Sequence, residues 1–240
     1  MARRLNGTDQ WFDLTVNGVW RRSNYNWFFG GWMRLIGGID NSLASYIVDF
    51  GRYDTALTGG GARNRLIYDG VNDRIVASSS LSDASVYYEH AIAGFIPDPT
   101  IWYYVGYASK PTGEIGGYRD SQRSTWSSGS TVTPPNDNVC WHLRFGGRAN
   151  QTVSNLANIE LADWIWCSDS IPTEAQIAQL AAGAKPANVS GLAYHHHWAF
   201  DQSGNEPSLV SAATLTAANN PPVVAGPSVG STAPLPIIFI

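Results

Sequence analysis

The sequence predicts an all-β fold, an antiparallel two-sheet jelly-roll sandwich with one short helix, and three observations carry that expectation. Aromatic residues make up 12% of the 240-residue chain and include ten tryptophans, which favour strands. Twenty-four glycines and 13 prolines punctuate the sequence at turns. Apolar runs of five or six residues recur at about ten-residue spacing, the rhythm of a sandwich or jelly roll.

Taken in order, the turn Asn6-Gly7-Thr8-Asp9 leads into a strand carrying Trp11, Phe12, Leu14 and Val16, closed by Asn17-Gly18. Phe28-Phe29-Gly30-Gly31-Trp32-Met33-Arg34-Leu35 reads as a core strand with a glycine bulge. Ser45 to Gly51 is the next strand, and Gly59-Gly60-Gly61 is a loop without the Lys and Ser of a phosphate cradle. Arg65–Tyr68 and Arg74–Val76 flank Asp69-Gly70, a hairpin-turn pair; Tyr87–Ile92 and Thr100–Val105 follow. Thr173-Glu174-Ala175-Gln176 is a capping box, Ile177 and Leu180 give one apolar stripe, and Gly183 with Pro186 ends the helix. We expect that helix to lie across a sheet edge. Gly191 to Asp201 returns to strand, and Asn219-Asn220-Pro221-Pro222 ends the periodicity. The chain therefore divides into a domain over 1–218 and a Pro-rich, uncharged arm over 219–240, whose prolines are expected to keep it from joining the sheets along its length.

Charge narrows the function classes. Only 14% of residues are charged and the formal net charge is −4, which argues against nucleic acid as a partner. Lys110 and Lys185 are the only lysines, so positive charge is carried by arginine, the better residue for fixed, packed contacts. No apolar run approaches the ~18 residues of a membrane helix. Met1-Ala2-Arg3-Arg4 lacks the apolar core and cleavage site of a signal peptide, so synthesis in the cytoplasm without export is expected. Cys140 and Cys167 lie in apolar, strand-like runs; they can pair or stay free, and buried free thiols are favoured.

The order of elements resembles LamG-like, concanavalin A-type jelly rolls. Arg4-Leu5-Asn6-Gly7-Thr8-Asp9-Gln10-Trp11 is similar to that family's opening strand, and Phe29-Gly30-Gly31-Trp32-Met33-Arg34 to its second. Pro99 to Val105 is similar to an "x-W-H-H-V" strand with Tyr103 and Tyr104 in place of the histidines; Leu143-Arg144-Phe145-Gly146-Gly147 is similar to "L-x-I-G-G". Leu161 to Trp166 before the capped helix, and Gly191-Leu192-Ala193-Tyr194 through Asp201, complete the resemblance over residues 3 to 218. The resemblance implies that the opening and Gly191 strands lie side by side. The arrangement also looks like stand-alone LamG-like proteins of tailed bacteriophages, which implies a place in the virion.

Each candidate site is weighed against a plainer role. Glycosidases of this fold carry E-x-D-x-E; here only Glu160 and Asp163 come near, three apart and expected on opposite sides of a strand, so no catalytic residue is assigned. In Tyr194-His195-His196-His197-Trp198, His195 and His197 share a strand face and are weak metal candidates that lack a third ligand. The resemblance brings calcium into question, with Asp69, Asn72 and Asp73 or Asp137 as weak donors, but a hairpin turn explains the former group. No cofactor is expected. Trp20, in Val19-Trp20-Arg21-Arg22, and Trp126, in a polar loop, are candidate exposed contacts, together with Arg21 and Arg22; Trp11, Trp32, Trp102, Trp164, Trp166 and Trp198 are assigned to the core.

The last apolar segment, Leu235 with Ile237-Ile238-Phe239-Ile240, is a candidate assembly arm that buries itself against another chain. Three readings follow. The first is a non-enzymatic virion structural protein, a capsid decoration or cementing protein or a minor head or tail fibre, docked on major capsid or tail subunits as a homo-oligomer. The second is a carbohydrate-binding, lectin-like module for host-surface attachment. The third, a polysaccharide-acting enzyme, is disfavoured by the missing carboxylate pair.

Overall fold

A computed structural model describes residues 1–16, 26–36, 44–52, 63–80, 87–92, 98–112, 114–126, 141–147 and 156–227. Strands β1 (Ala2–Asn6), β2 (Phe12–Val16), β3 (Trp27–Leu35), β4 (Ala44–Arg52), β5 (Arg63–Asp69), β6 (Arg74–Ser80), β7 (Tyr87–Ile92) and β8 (Tyr103–Ser109) come first. They are followed by β9 (Ile115–Arg119), β10 (Gln122–Arg123), β11 (Trp141–Phe145), β12 (Asn158–Ser168) and helix α1 (Glu174–Ala181). The short strands β13 (His196–Trp198), β14 (Glu206–Pro207), β15 (Thr214–Ala217) and β16 (Val223–Val224) complete the order.

They form two antiparallel sheets. Sheet I runs β10-β9-β8-β3-β12-β1-β16 with β13 also on β12, and sheet II runs β14-β15-β2-β11-β4-β5-β6-β7. The all-β two-sheet sandwich expected from the sequence is what the chain adopts. Period-two alternation sends Leu5, Phe29, Met33, Leu143, Phe145, Leu161, Trp164 and Trp166 between the sheets. Trp27, Phe29, Phe50, Tyr107 and Trp166 form an aromatic cluster, with Trp27 and Trp166 stacked at 5.2 Å. Buried aromatics of this size dominate core energetics.

Several local expectations are corrected. The bulge lies on β12, between Ala162 and Ile165, and not on the Gly30-Gly31 strand it faces. The first strand does not pair with the Gly191 strand: β1 and β13 occupy successive stretches of one edge of β12, and β16 is the outer neighbour of β1. Only His196–Trp198 of the Gly191–Asp201 stretch is strand. Strand β8 begins at Tyr103, because Asp98 Oδ1 accepts from both N–H (2.7 Å) and Oγ1–H (2.6 Å) of Thr100 and holds the preceding residues in a turn. Val223 and Val224 pair with β1, so the start of the arm joins sheet I despite its prolines. Both prolines precede the paired valines, which keep their donors.

Helix α1 is capped as expected: Thr173 Oγ1 accepts from Gln176 N–H at 3.2 Å, and Gln176 Oε1 accepts from Thr173 N–H at 2.9 Å. It covers the outer face of sheet I and not an edge, because Ile177, Leu180 and Ala181 meet a second apolar cluster of Phe28, Trp32, Tyr104 and Ile165. No helix among the described residues is long and apolar enough to cross a membrane.

Candidate functional site

Strand β2 places Phe12 in the core, so alternation turns its neighbours Trp11 and Asp13 outward. Cross-strand register then sets Thr216, Asp13, Arg144, Asp49, Arg65 and Ser78 in one row across the outer face of sheet II. Charges alternate along this row, so each carboxylate lies beside a guanidinium. Arg144 Nη2 donates to Asp13 Oδ2 at 2.6 Å, and its guanidinium stands 5.5 Å from the Trp11 ring centre. His142 Nδ1 lies 3.7 Å from Asp13 Oδ1. Arg65 donates to Tyr46 Oη at 3.0 Å.

The row is closed at one end and open at the other. Asp49 and Ser78 are fully buried, and Arg65 and Arg144 nearly so. Asp13 and His142 each keep 24% of the side chain exposed, and Trp11 is half-buried. A shallow cleft therefore opens over β15 and β2, lined by Trp11, Asp13, Thr216, Ala217 and Ala218. Ala218 N–H donates to Trp11 C=O at 2.9 Å and fixes the floor. Burial pushes the Asp13 carboxyl up, but the His142 and Arg144 contacts outweigh it and hold it below the ordinary carboxylate range. A fixed carboxylate, a guanidinium, a hydroxyl and an indole on one shallow surface supply what a polyol ring needs: hydrogen-bonding partners for hydroxyls and a flat apolar surface for its C–H face.

The residues singled out in the sequence fall elsewhere. Trp20, Arg21 and Arg22 lie outside the described residues, as do Leu235, Ile237, Ile238, Phe239 and Ile240, Gly59–Gly61, Asp137 and Cys140. Trp126 is half-buried and not exposed: it packs over Gly116, with Lys110 Nζ 4.0 Å and the Arg123 guanidinium 4.8 Å from its ring centre. Its partners come from β9, β10 and the turn before β9, which its own polar loop does not reveal. Trp32, Trp164, Trp166 and Trp198 are core as expected, whereas Trp11 and Trp102 sit on outer faces, half-buried. Cys167 is a buried free thiol whose pKa burial pushes up.

His195 and His197 are engaged separately. Ser168 N–H donates to His195 Nδ1 at 3.1 Å, while His197 donates from Nε2 to Asp163 Oδ1 at 3.2 Å. Asp69 accepts from Val71 N–H (3.2 Å), Asn72 (2.8 Å) and Arg74 (2.8 Å), and Asp73 accepts from the Tyr68 hydroxyl at 3.1 Å. Those carboxylates build the β5–β6 hairpin. Among the described residues no three His, Cys, Asp or Glu side chains are grouped as a metal site.

Glu160 and Asp163 share the outer face of sheet I and not opposite faces, because the bulge holds Asp163 at φ 50° and shifts the alternation. Each is already committed. Arg4 and Arg34 each donate from Nε to one Glu160 oxygen at 2.7 Å, and Lys185 donates to Asp163 Oδ2 at 2.5 Å. The sequence signal for the sheet II cleft was the alternation itself: with Phe12 and Leu14 inside, Trp11 and Asp13 must face out.

A scan against protein-family models finds no match, and a search of curated proteins finds none either. Solved structures do match. The chain is similar to a Bacteroides ovatus protein provisionally named as carbohydrate binding, with TM-score 0.60 and 13% identity over 95% of this chain and 61% of that one. It is similar to domain 4 of a GH43 extracellular arabinanase from Geobacillus stearothermophilus, solved with arabinotriose, with TM-score 0.51 and 15% identity over 75% of this chain and 76% of that one. It is also similar to part of the NanB sialidase of Streptococcus pneumoniae, with TM-score 0.56 and 8% identity over 74% of this chain and 27% of that one. This chain thus spans about three-fifths of the Bacteroides protein and about a quarter of the sialidase. At identities this low the likeness shows the fold alone, the β-sandwich described above.

Proposed function

We propose that the chain is a non-catalytic carbohydrate-binding module whose glycan lies in the sheet II cleft. The observation that carries this reading is the Trp11 ring beside the Asp13–Arg144 pair at the open end of the charged row. Support comes from two matched structures, one provisionally named for carbohydrate binding and one solved with arabinotriose. The chemistry favours binding over hydrolysis. Asp13 is the partly exposed carboxylate of the row, and Asp49 behind it is fully buried, whereas glycoside cleavage needs two accessible carboxyls about 5 to 9 Å apart.

A glycan array followed by titration of the best ligand tests it. Trp11→Ala and Asp13→Asn should each weaken binding while leaving the fold intact. An array without a ligand, or a Trp11→Ala protein of unchanged affinity, overturns the proposal. Docking on virion subunits rests on the sequence alone: the apolar segment Leu235–Ile240 lies outside the described residues, and none of the matched structures named above is a virion protein.

A further inference from the structure

We infer that the outer face of sheet I carries a second binding site, for the carboxylate of an acidic saccharide, built by Arg4, Arg34 and Trp102 around Glu160. The saccharide half of this inference rests on the reading above; the anion half rests on geometry alone. Arg4, Glu160 and Arg34 stand directly opposite one another on β1, β12 and β3. Glu160 is fully buried, and its two oxygens are divided between the arginines. Each guanidinium meets it side-on through Nε and Nη2, which leaves both Nη1 groups unused by Glu160. The arginine side chains remain 43% and 23% exposed.

Charge and rigidity follow from this arrangement. Two cations around one anion leave a net positive charge fixed in the sheet surface. Holding both guanidiniums against a buried carboxylate removes in advance the rotamer freedom that long arginines otherwise lose on binding. Arginine presents a planar fork that matches a carboxylate. Beside it, the Arg34 guanidinium lies 5.2 Å from the centre of the half-buried Trp102 ring, so an aromatic surface adjoins the anion site. A sugar ring bearing a carboxylate meets both requirements at once. Helix α1 covers Phe28, Trp32 and Ile165 further along the same sheet, and the row lies toward the start of β12.

The test is isothermal titration of the full chain with trigalacturonate, a neutral galactose trisaccharide and triglutamate. Trigalacturonate should bind more tightly than either, with affinity that falls as salt rises. Arg34→Lys, which keeps the charge but removes the fork, and Trp102→Ala should each weaken it about fivefold or more. Equal affinity for triglutamate, or an Arg34→Lys protein that binds trigalacturonate normally, overturns the site. Loss of trigalacturonate preference in Arg34→Lys, with neutral-glycan binding retained, separates the two sites. If no neutral glycan binds while Arg34→Lys weakens trigalacturonate, the sheet II proposal falls and this one stands.

Discussion

Gly31 and Trp164 face each other across the bulged β3–β12 pair, and a β-carbon built on Gly31 would lie 2.5 Å from Trp164 Cδ1. The bulge drops the indole into the space that a side chain would occupy, and Trp164 Nε1–H then donates to Trp32 C=O at 3.0 Å. Trp164 is fully buried, so it has nowhere to move. Gly31→Ala should therefore lower stability by about 1 to 3 kcal/mol, as overpacking does in a dense core. Chemical denaturation checks this, and a midpoint equal to wild type contradicts it.

The capping box makes a smaller, cleaner prediction. Thr173→Ala removes the acceptor for Gln176 N–H and should cost about 1 kcal/mol. Gln176→Ala removes the reciprocal bond to Thr173 N–H, and also the donor to Ser190 C=O at 3.1 Å. The double variant should be less stable than either single one in thermal melts.

The helix was legible because its cap signals are local, and so was the β5–β6 hairpin, whose turn carries its own hydrogen bonds. Strand existence was legible from alternation. Partnership was not. Nothing in Gly30-Gly31 says that the extra residue belongs to the strand opposite, because a small residue is needed equally where a bulge occurs and where one is faced. The pairing of Val223-Val224 with β1 was hidden by the prolines before it. Trp11 departs from the core expectation because the parity of β2 that buries Phe12 turns Trp11 outward. The Arg4–Glu160–Arg34 row needed the register of three strands distant in sequence.

At the sheet II cleft, Trp11→Ala should reduce glycan affinity about tenfold or more, the loss typical of a central aromatic contact. Asp13→Asn keeps the shape but removes one of the two carboxylates beside Arg144, so it should reduce affinity and also lower the melting temperature modestly. Because Asp13 is held below the ordinary carboxylate range, its ion pair persists at mildly acidic pH. Binding should therefore stay constant between about pH 5 and 8. A binding curve that collapses near pH 6 would contradict the role given to Asp13.

Glu206 makes the stability of the sandwich depend on pH. Its side chain is fully buried, with Oε1 accepting Phe200 N–H at 2.8 Å, and Arg3 stands nearby, itself buried and bonded to Gln202 C=O and Gly204 C=O. Burial pushes the Glu206 carboxyl up to about 7, with Asp201 adding to the rise; the Phe200 and Gln202 N–H groups and Arg3 offset only part of it. In the unfolded chain the same group titrates at the ordinary glutamate value, near 4.3. Between those two values the folded protein holds a proton that the unfolded chain releases. Stability must then fall as pH rises from about 4.5 to 7 and level off above it, with a total loss on the order of 1 to 3 kcal/mol. Glu206→Gln keeps the acceptor for Phe200 N–H and removes the ionisation. It should flatten that part of the curve and be more stable than wild type at pH 8, where wild type bears a buried, partly unmatched charge. Urea midpoints measured from pH 4.5 to 8.5 for both proteins decide the matter. Parallel curves would show that Glu206 ionises as easily in the folded state as in the unfolded one.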